Sequence, residues 1–299
     1  MSVERASVGE LEIAYQTFGN RADPPLLLVM GLATQMLGWH EDFCRALSER
    51  GLFVVRFDNR DIGLSTHLDD AGPADVMAAF AGDFSSAAYT LSDMATDTVG
   101  LMDALELDSA HLVGASMGGM IVQTVAIEHP GRVRSLTSIM SRTGQSGVGD
   151  ATEEATQVLL APPAHSRDEA IERSLATYRV IGSSGYPLDE QALRERAALS
   201  YDRAYDPAGV SRQLVAIAAS GDRSEGLREL RVPTLVLHGA DDPLIQVSGG
   251  RATAAAIPGA ELVVFDGMGH DLPRALWPEV CERIAGLTAR AERLRREAA

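Results

Sequence analysis

The stretch His111-Leu112-Val113-Gly114-Ala115-Ser116-Met117-Gly118-Gly119-Met120 decides how this chain is interpreted. A short apolar run leads into a Gly-x-Ser-x-Gly pentapeptide and then into a helical pattern that ends at Pro130. A serine on a tight strand-to-helix turn has a strained backbone, so the residues two before and two after it must be small. The N-terminus of the next helix offers free N–H groups to a negative charge formed beside the serine. The stretch therefore predicts a nucleophile elbow with Ser116 at its tip.

Length, composition and charge bound the class of protein. A chain of 299 residues can bury a large core, either as one α/β domain or as a domain with an insertion. The net charge of −16 would repel phosphate backbones and anionic membrane surfaces. The apolar runs are too short to span a bilayer, and the first residues lack the apolar stretch of a signal peptide. We expect a cytoplasmic protein that binds neither nucleic acid nor membrane; the sequence leaves its oligomeric state open.

The order of apolar runs and helical patterns predicts the fold class. Continuous apolar runs at Leu26 to Met30 and Leu52 to Phe57 are typical of buried parallel strands. A helix that Ser92 could cap, the strand before Ser116 and a strand from Val133 to Met140 continue the alternation. This pattern predicts an α/β fold with a mostly parallel central sheet flanked by helices.

The alternation stops between about Ser141 and Arg228, where the chain is rich in Ala, Arg, Glu and Ser and has helical spacing. We interpret residues 141–228 as an inserted helical cap on a core made of residues 1–140 and 229–299. The strand rhythm then resumes with Thr234 to His238 and Glu261 to Phe265. The two cysteines, Cys44 and Cys281, show no metal-ligand spacing and are expected to be buried thiols.

A serine hydroxyl needs a base to remove its proton, and an imidazole base needs a carboxylate to fix its tautomer. In an elbow-type sheet the acid and then the histidine follow the serine, in loops at the carboxyl ends of later strands. The C-terminal loop Asp266-Gly267-Met268-Gly269-His270 supplies His270 as the base. The earlier loop offers two adjacent acids, Asp241 and Asp242, between which position alone does not choose.

Five ordered segments together resemble the α/β-hydrolase superfamily: Leu27 to Leu32, Arg56 to Ser65, Gly114 to Gly119, His238 to Pro243 and Gly267 to His270. The resemblance covers nearly all of the chain outside the 141–228 segment. It implies an α/β-hydrolase fold and places the acid at the third residue after Gly239, which is Asp242. It also implies that the backbone N–H groups of Leu32 and Met117 form the oxyanion hole.

Met30 and Trp39 make the chain resemble the branch around aclacinomycin methylesterase, whose members hydrolyse polyketide esters. A serine rather than an aspartate at the elbow implies esterase chemistry through an acyl-enzyme, without metal or cofactor. Acyl transfer and C–C bond hydrolysis use the same equipment and stay open as alternatives. A ligand receptor that keeps the fold without catalysing turnover is a further alternative.

Methionines and aromatic residues near the predicted site indicate an adaptable apolar pocket, although ordinary core packing would explain them as well. We expect the substrate to be a small molecule, namely a bulky, apolar methyl ester or lactone of secondary-metabolite type. The residues expected to bind it are Met30, Gly31, Met36, Trp39, Met140, Met268, Tyr178 and Tyr186.

Overall fold

A computed structural model describes residues 2–298, and a single sheet organises them. The strands are β1 (Glu4–Val8), β2 (Leu11–Phe18), β3 (Pro25–Val29), β4 (Phe53–Phe57), β5 (Ala110–Ala115), β6 (Val133–Ile139), β7 (Thr234–Gly239) and β8 (Glu261–Phe265). They lie in the order β1-β2-β4-β3-β5-β6-β7-β8. The β1–β2 and β2–β4 pairs are antiparallel and the other neighbouring pairs are parallel. The predicted fold class is confirmed.

Helices connect the parallel strands and cover the sheet. They are α1 (Glu41–Ser48), α2 (Val76–Phe80), α3 (Leu91–Ala104), α4 (Met117–Glu128), α5 (Glu153–Leu159), α6 (Arg167–Ile181), α7 (Glu190–Arg203), α8 (Pro207–Ala219), α9 (Ser224–Arg228), α10 (Val247–Ala256) and α11 (Trp277–Ala298). Across residues 2–298 none of these helices is long and apolar enough to cross a bilayer.

Burial on both faces explains the uninterrupted apolar sequence of β3. Leu27 and Val29 pack into the cluster that includes side chains of α3 and α4. Leu26 and Leu28 point to the opposite face, where they join side chains of α1 and α11. Because successive side chains of a strand alternate between faces, a strand covered on both sides needs apolar residues at every position. The sheet therefore holds its central strands rigid, and their carboxyl ends can position a site.

Five helices, α5 to α9, separate β6 from β7. The first three pack on one another, α5 on α6 and α6 on α7, while α7 also touches the short turn at Met36–Gly38. The last two pack on other elements, α8 on α2 and α9 on α4 and α10. The helical character of this segment agrees with its sequence pattern, and its assignment as a cap stays a prediction.

One strand was not predicted, and the start of one helix needs correction. The first strand, β1, lies in a polar stretch that carries no strong strand signal, and it forms because it pairs with β2. The helix expected to be capped by Ser92 is capped two residues earlier, by Thr90, and begins at Leu91. The Thr90 N–H donates to the Asp93 carboxylate at 2.8 Å in a capping box, whereas Ser92 donates to Glu128 of α4 at 2.7 Å.

The two cysteines are free and fully buried in the cluster beneath α1 and α11. Burial raises the pKa of the Cys44 thiol to about 12 and that of Cys281 to about 11. A thiol reacts as its thiolate, so both groups are inert at neutral pH. They belong to the packing of the core, as the sequence predicts.

Candidate active site

The turn between β5 and α4 presents Ser116 in a conformation that few residues adopt. Its backbone has φ +56° and ψ −120°, and its side chain is partly accessible. A Cβ at Gly114 would overlap the Gly118 carbonyl, and a Cβ at Gly118 would overlap the Val29 carbonyl. The two glycines thus allow β5, α4 and β3 to approach closely enough to force the sharp turn. The serine hydroxyl projects from the carboxyl end of the sheet as a result.

Three predicted residues meet at this point in a hydrogen-bonded chain. The Ser116 Oγ lies 3.0 Å from Nε2 of His270, and the His270 Nδ1 lies 2.7 Å from Oδ2 of Asp242. Both the imidazole and the carboxylate are buried, at 8% and 3% exposure. If Nδ1 carries the proton that Asp242 accepts, then Nε2 is left as an acceptor toward the serine hydroxyl. The arrangement can remove a proton from Ser116.

The two adjacent aspartates that the sequence leaves as alternatives have different surroundings. The second oxygen of Asp242, Oδ1, accepts hydrogen bonds from the backbone N–H groups of Leu244 and Ile245, each at 2.9 Å. The Asp241 side chain is exposed and accepts a hydrogen bond from the Ser184 hydroxyl. Its carboxylate therefore points away from His270, and only Asp242 lies within reach of the imidazole.

A second histidine lies behind the acid. The His238 side chain is fully buried at the end of β7, and burial lowers its pKa, so the ring is neutral. Its Nε2–H donates to the Ile245 carbonyl at 2.7 Å and lies 3.6 Å from Oδ2 of Asp242. The ring thereby supports the loop that holds Asp242.

The end of α6 holds the loop that carries His270. The backbone N–H of His270 donates to the Ile181 carbonyl at 2.7 Å, and the Gly269 N–H donates to the Ser183 hydroxyl at 3.0 Å. A Cβ at Gly269 would overlap the Gly182 carbonyl. Glycine is therefore required there by the close approach of two backbones. The helices between β6 and β7 thus contact the loop of His270 directly.

The two predicted oxyanion donors flank the serine. A Cβ at Gly31 would lie 3.0 Å from the Ser116 Cβ, so the loop after β3 runs against the serine and brings the Leu32 backbone with it. Met117 is the first residue of α4, where N–H groups have no partner within the helix. Anionic oxygen beside Ser116 would be stabilised by such N–H groups and by the positive end of α4.

Two residues near the serine carry contacts that the sequence interpretation missed. The Ser141 hydroxyl, just after β6, donates to the Ser116 carbonyl at 2.8 Å. The Asn59 side-chain amide donates to the Met30 carbonyl at 2.9 Å and is 3% exposed. Asn59 lies in the Arg56 to Ser65 segment, which indicates the family but does not predict this contact. No sequence signal marks Ser141.

The predicted substrate-binding residues fall into two groups. Most are buried in or beside the core: Gly31 lies against Ser116, Met36 follows it on the same loop, and Met30, Trp39, Met140 and Met268 share one apolar cluster. The side chains of Met36 and Met268 have no accessible surface, so they would have to move before a ligand could touch them. Their role in binding stays a prediction.

The other two, Tyr178 and Tyr186, line a cleft of about 420 Å³ between the α6–α7 connection and the acid and histidine loops. Asp241 and Asp271 contribute to its wall, whereas Ser116 and His270 are not among its lining residues. Tyr186 also packs against the apolar cluster that contains Met140 and Met268. Both tyrosines therefore lie beside the triad rather than over the serine.

Within the described part of the chain, Asp61, His67 and Asp206 bring their ligand atoms within 4.8 Å of one another, a spacing that suits a metal ion. Arg212 already fills this place: its guanidinium binds both oxygens of Asp61, at 2.7 and 2.8 Å, and lies 3.3 Å from Asp206. A second cation beside a buried guanidinium would be repelled. The cluster is an ion-pair network that joins α8 to the loop after β4.

Comparison with known proteins places the chain. A family model described as the α/β hydrolase fold matches residues 24–273. The rhodomycin D methylesterase DauP of Streptomyces sp. (strain C5) is 29% identical, over 94% of this chain and 96% of the relative. The 3-oxoadipate enol-lactonase 2 of Acinetobacter baylyi is 25% identical, over 86% of each chain. The predicted family and its methylesterase-like branch are confirmed.

Solved structures agree with this placement. A hydrolase from Pseudomonas aeruginosa PA01 superimposes with a TM-score of 0.70 at 26% identity, covering 97% of both chains. A meta-cleavage product hydrolase from Pseudomonas fluorescens IP01 has a TM-score of 0.75 at 20% identity, covering 96% of this chain and 98% of its own, and shows the shared fold. The chain belongs to the α/β-hydrolase family.

Proposed function

We propose that the protein is a carboxylic ester hydrolase that works through Ser116, His270 and Asp242. The His270 Nε2 takes the hydroxyl proton while Ser116 Oγ attacks the ester carbonyl carbon. The carbonyl oxygen becomes an anion, which the Leu32 and Met117 N–H groups bind. The imidazolium then gives its proton to the leaving alkoxide, the C–O bond breaks, and the acyl group remains on Ser116.

Water completes the cycle by the same route. His270 removes a proton from water, the hydroxide attacks the acyl carbon, and the same two N–H groups bind the second tetrahedral anion. Its collapse breaks the bond to Ser116, which takes back the proton from the imidazolium. Asp242 stays ionised throughout and stabilises the charged imidazole at 2.7 Å. A carboxylic acid and an alcohol leave, or one hydroxy acid if the substrate is a lactone.

One observation carries the proposal, namely the continuous hydrogen-bonded chain of Ser116, His270 and Asp242. The Ser116 Oγ lies 3.0 Å from Nε2 of His270, whose Nδ1 lies 2.7 Å from Oδ2 of Asp242, and the serine has a positive φ. Each member comes from a different loop at the same edge of the sheet. A purely structural hydrogen-bond chain would not require the nucleophile to sit in a strained, partly accessible position.

An active-site label tests the assignment. A fluorophosphonate should modify one residue, and peptide mass spectrometry should place the adduct on Ser116. The Ser116→Ala variant should lose about 10³-fold or more in kcat with an unchanged fold, since it removes only the nucleophilic oxygen. Ser184→Ala, which removes an exposed hydroxyl on the α6–α7 connection, is the matched control and should keep both labelling and activity. An adduct on another serine would overturn the proposal.

We further propose that the substrate is a bulky, apolar ester or lactone held beneath a cap formed by residues 141–228, in which α5, α6 and α7 pack on one another. Support comes from the apolar side chains of Met30 and Met140 near the serine, which keep some accessible surface. One similar protein is named a methylesterase and another an enol-lactonase, which are names for the cleavage of an ester and of a lactone. The net charge of −16 disfavours polyanionic acyl donors.

A panel of esters decides the substrate class. The kcat/KM values for polycyclic methyl esters and for lactones should exceed those for short acetyl esters and for acyl-CoA thioesters. The same panel with an added alcohol acceptor tests acyl transfer, which would divert product from acid to new ester. Short acetyl esters hydrolysed faster than every bulky substrate would exclude the large-substrate proposal and leave the triad assignment untouched.

A further inference from the structure

We propose that Gln213 of α8 and Thr34 are positioning residues that fix the direction of the Leu32 N–H, one of the two oxyanion donors proposed above. The inference rests on the proposed hydrolase mechanism, because it concerns a group that matters only when an anion forms beside Ser116. It assigns a part in catalysis to a helix of the segment between β6 and β7. Neither side chain touches the reacting atoms.

The hydrogen bonds around Leu32 hold both peptide units that flank it. In a trans peptide the C=O and N–H point in opposite directions, so fixing one fixes the other. The Gly31 carbonyl accepts the Thr34 N–H at 3.3 Å, which directs the Leu32 N–H the other way. In the next unit, the Leu32 carbonyl accepts the Thr34 hydroxyl at 3.0 Å and the Ala33 N–H donates to Gln213 Oε1 at 3.1 Å.

This loop needs support because its own backbone does not supply it. Ala33 has φ +58°, a left-handed conformation that disfavours any residue with a Cβ, and its side chain is exposed. Ala33 also lies outside the helices and strands formed by residues 2–298. Without an acceptor for its N–H, the strained unit would relax by rotating the peptide. That rotation would displace the Thr34 N–H that holds the Gly31 carbonyl, and the Leu32 N–H, which shares a peptide unit with this carbonyl, would lose its aim at the anion.

Gln213 suits this task because its amide is fully buried and held at both ends. Its Nε2 donates to the Arg60 carbonyl at 2.8 Å while Oε1 receives the Ala33 N–H. The reversed amide would bring two donors together at Ala33 and two acceptors together at Arg60, so the orientation is unique. Arg60 is itself fixed, since its guanidinium forms a two-point ion pair with Asp97 of α3. A rigid path thus runs from α3 to the oxyanion loop.

The size of the effect follows from what is lost. Removing one oxyanion donor outright costs about 10² to 10³ in kcat. In a variant without the Gln213 oxygen the Leu32 N–H is still present but poorly aimed, so a loss of about tenfold is expected. Ground-state binding of the substrate should change little, because the anion does not yet exist. A larger effect on kcat than on KM is therefore the signature of a positioning role.

The experiment compares Gln213→Met, which keeps the length of the side chain and removes both hydrogen bonds, with Ser211→Ala on the same helix. Ser211 accepts the Ala74 N–H at 3.0 Å and so ties α8 to the chain before α2, without contact to the oxyanion loop. Activity is expressed per active site titrated with the fluorophosphonate, which removes any effect of partial unfolding. We expect kcat per site to fall about tenfold in Gln213→Met and to stay within about twofold in Ser211→Ala.

Inhibitor affinities distinguish a misdirected Leu32 N–H from a general disruption of the active site. A trifluoromethyl ketone forms an anionic adduct with the serine, so its inhibition constant should rise about tenfold in Gln213→Met, in parallel with the loss of kcat. The matching methyl ketone should bind within about twofold of its normal affinity. Unchanged kcat per site and unchanged affinity for the trifluoromethyl ketone in a folded Gln213→Met protein would refute the inference.

If Gln213→Met does not fold, a second pair of variants tests the inference. Thr34→Val removes the hydroxyl that holds the Leu32 carbonyl, and Thr34→Ser keeps it. The Val variant should lose kcat and trifluoromethyl ketone affinity relative to Ser, and equal values would refute the inference. If Ser116→Ala keeps full activity, the proposed function itself has failed. If Ser116→Ala is inactive while both positioning variants behave as the wild type, only the present inference fails.

Discussion

Replacing Asp242 by asparagine should lower kcat strongly, although the two side chains have nearly the same size. The Asp242 Oδ1 accepts two backbone N–H groups at 2.9 Å, so the oxygen of an asparagine must occupy that position. Its NH2 group then replaces Oδ2 and faces Nδ1 of His270, which lies 2.7 Å away in the native protein. Two donors cannot share this contact, so the ring must present an unprotonated Nδ1.

That tautomer places the proton on Nε2, which lies 3.0 Å from the Ser116 Oγ. An Nε2–H group cannot accept the serine proton, and the base is lost although every atom is in place. A wrong tautomer of this kind lowers kcat by about 10⁴, which is about 5.5 kcal/mol at 1.36 kcal/mol per tenfold. The free energy of unfolding should fall by much less, since the two backbone contacts survive.

The assay is kcat for the best ester of the panel, with thermal unfolding as the test of fold. Asp241→Asn is the matched control, because Asp241 is the preceding residue, is exposed and contacts Ser184 rather than His270. It should retain kcat within about threefold, as expected for a surface change. A folded Asp242→Asn enzyme with kcat within tenfold of the wild type would refute the tautomer reasoning. So would a folded Asp241→Asn enzyme that is the more impaired of the two.

Two further predictions concern stability. Gly118→Ala should lower the free energy of unfolding by about 3 kcal/mol, because its Cβ would overlap the Val29 carbonyl, whereas Gly131→Ala, with open space around it, should change little in urea titrations. Burial alone would lower the pKa of His67, but its hydrogen bond to Asp206 and other polar contacts raise it above 6.5. Folding therefore favours the protonated ring, and this contribution is complete below pH 6.5 and lost as the pH rises through the folded pKa. The Tm deficit of His67→Gln should accordingly be larger at about pH 5.5 than at about pH 9, and the reverse order would contradict the sign.

The sequence predicted the parts of the site that depend on short-range rules. The elbow follows from the spacing of Gly114, Ser116 and Gly118, whose small side chains a sharp turn requires. His270 could be placed because a parallel sheet brings the ends of its strands to one edge. The choice of Asp242 over Asp241 needed the family resemblance. Neighbouring residues point in different directions, and only the fold shows which direction faces the imidazole.

Contacts between distant segments gave no comparable signal. Ser141 reaches the Ser116 carbonyl because β6 lies beside β5, and any small hydroxyl after a strand would look the same in sequence. The bond between Ile181 and His270 joins two backbones and leaves no mark on residue type. Gln213 lies in a helical stretch without motif. Its role depends on the position of α8 relative to a loop 180 residues earlier in the chain.

Residues 58–61 show how closely the two parts of the chain are joined. Asp58 binds the Met36 N–H and Arg203 of α7. Asn59 binds the Met30 carbonyl, and the last two residues, at positions 60 and 61, both bind α8. One rigid turn after β4 therefore fixes both the oxyanion loop and two helices of the segment between β6 and β7. Because α6 also holds the His270 loop, substitutions made in these helices to change the substrate should alter kcat as well as KM. The helices of that segment are therefore hydrogen-bonded to the loops that carry His270 and Leu32.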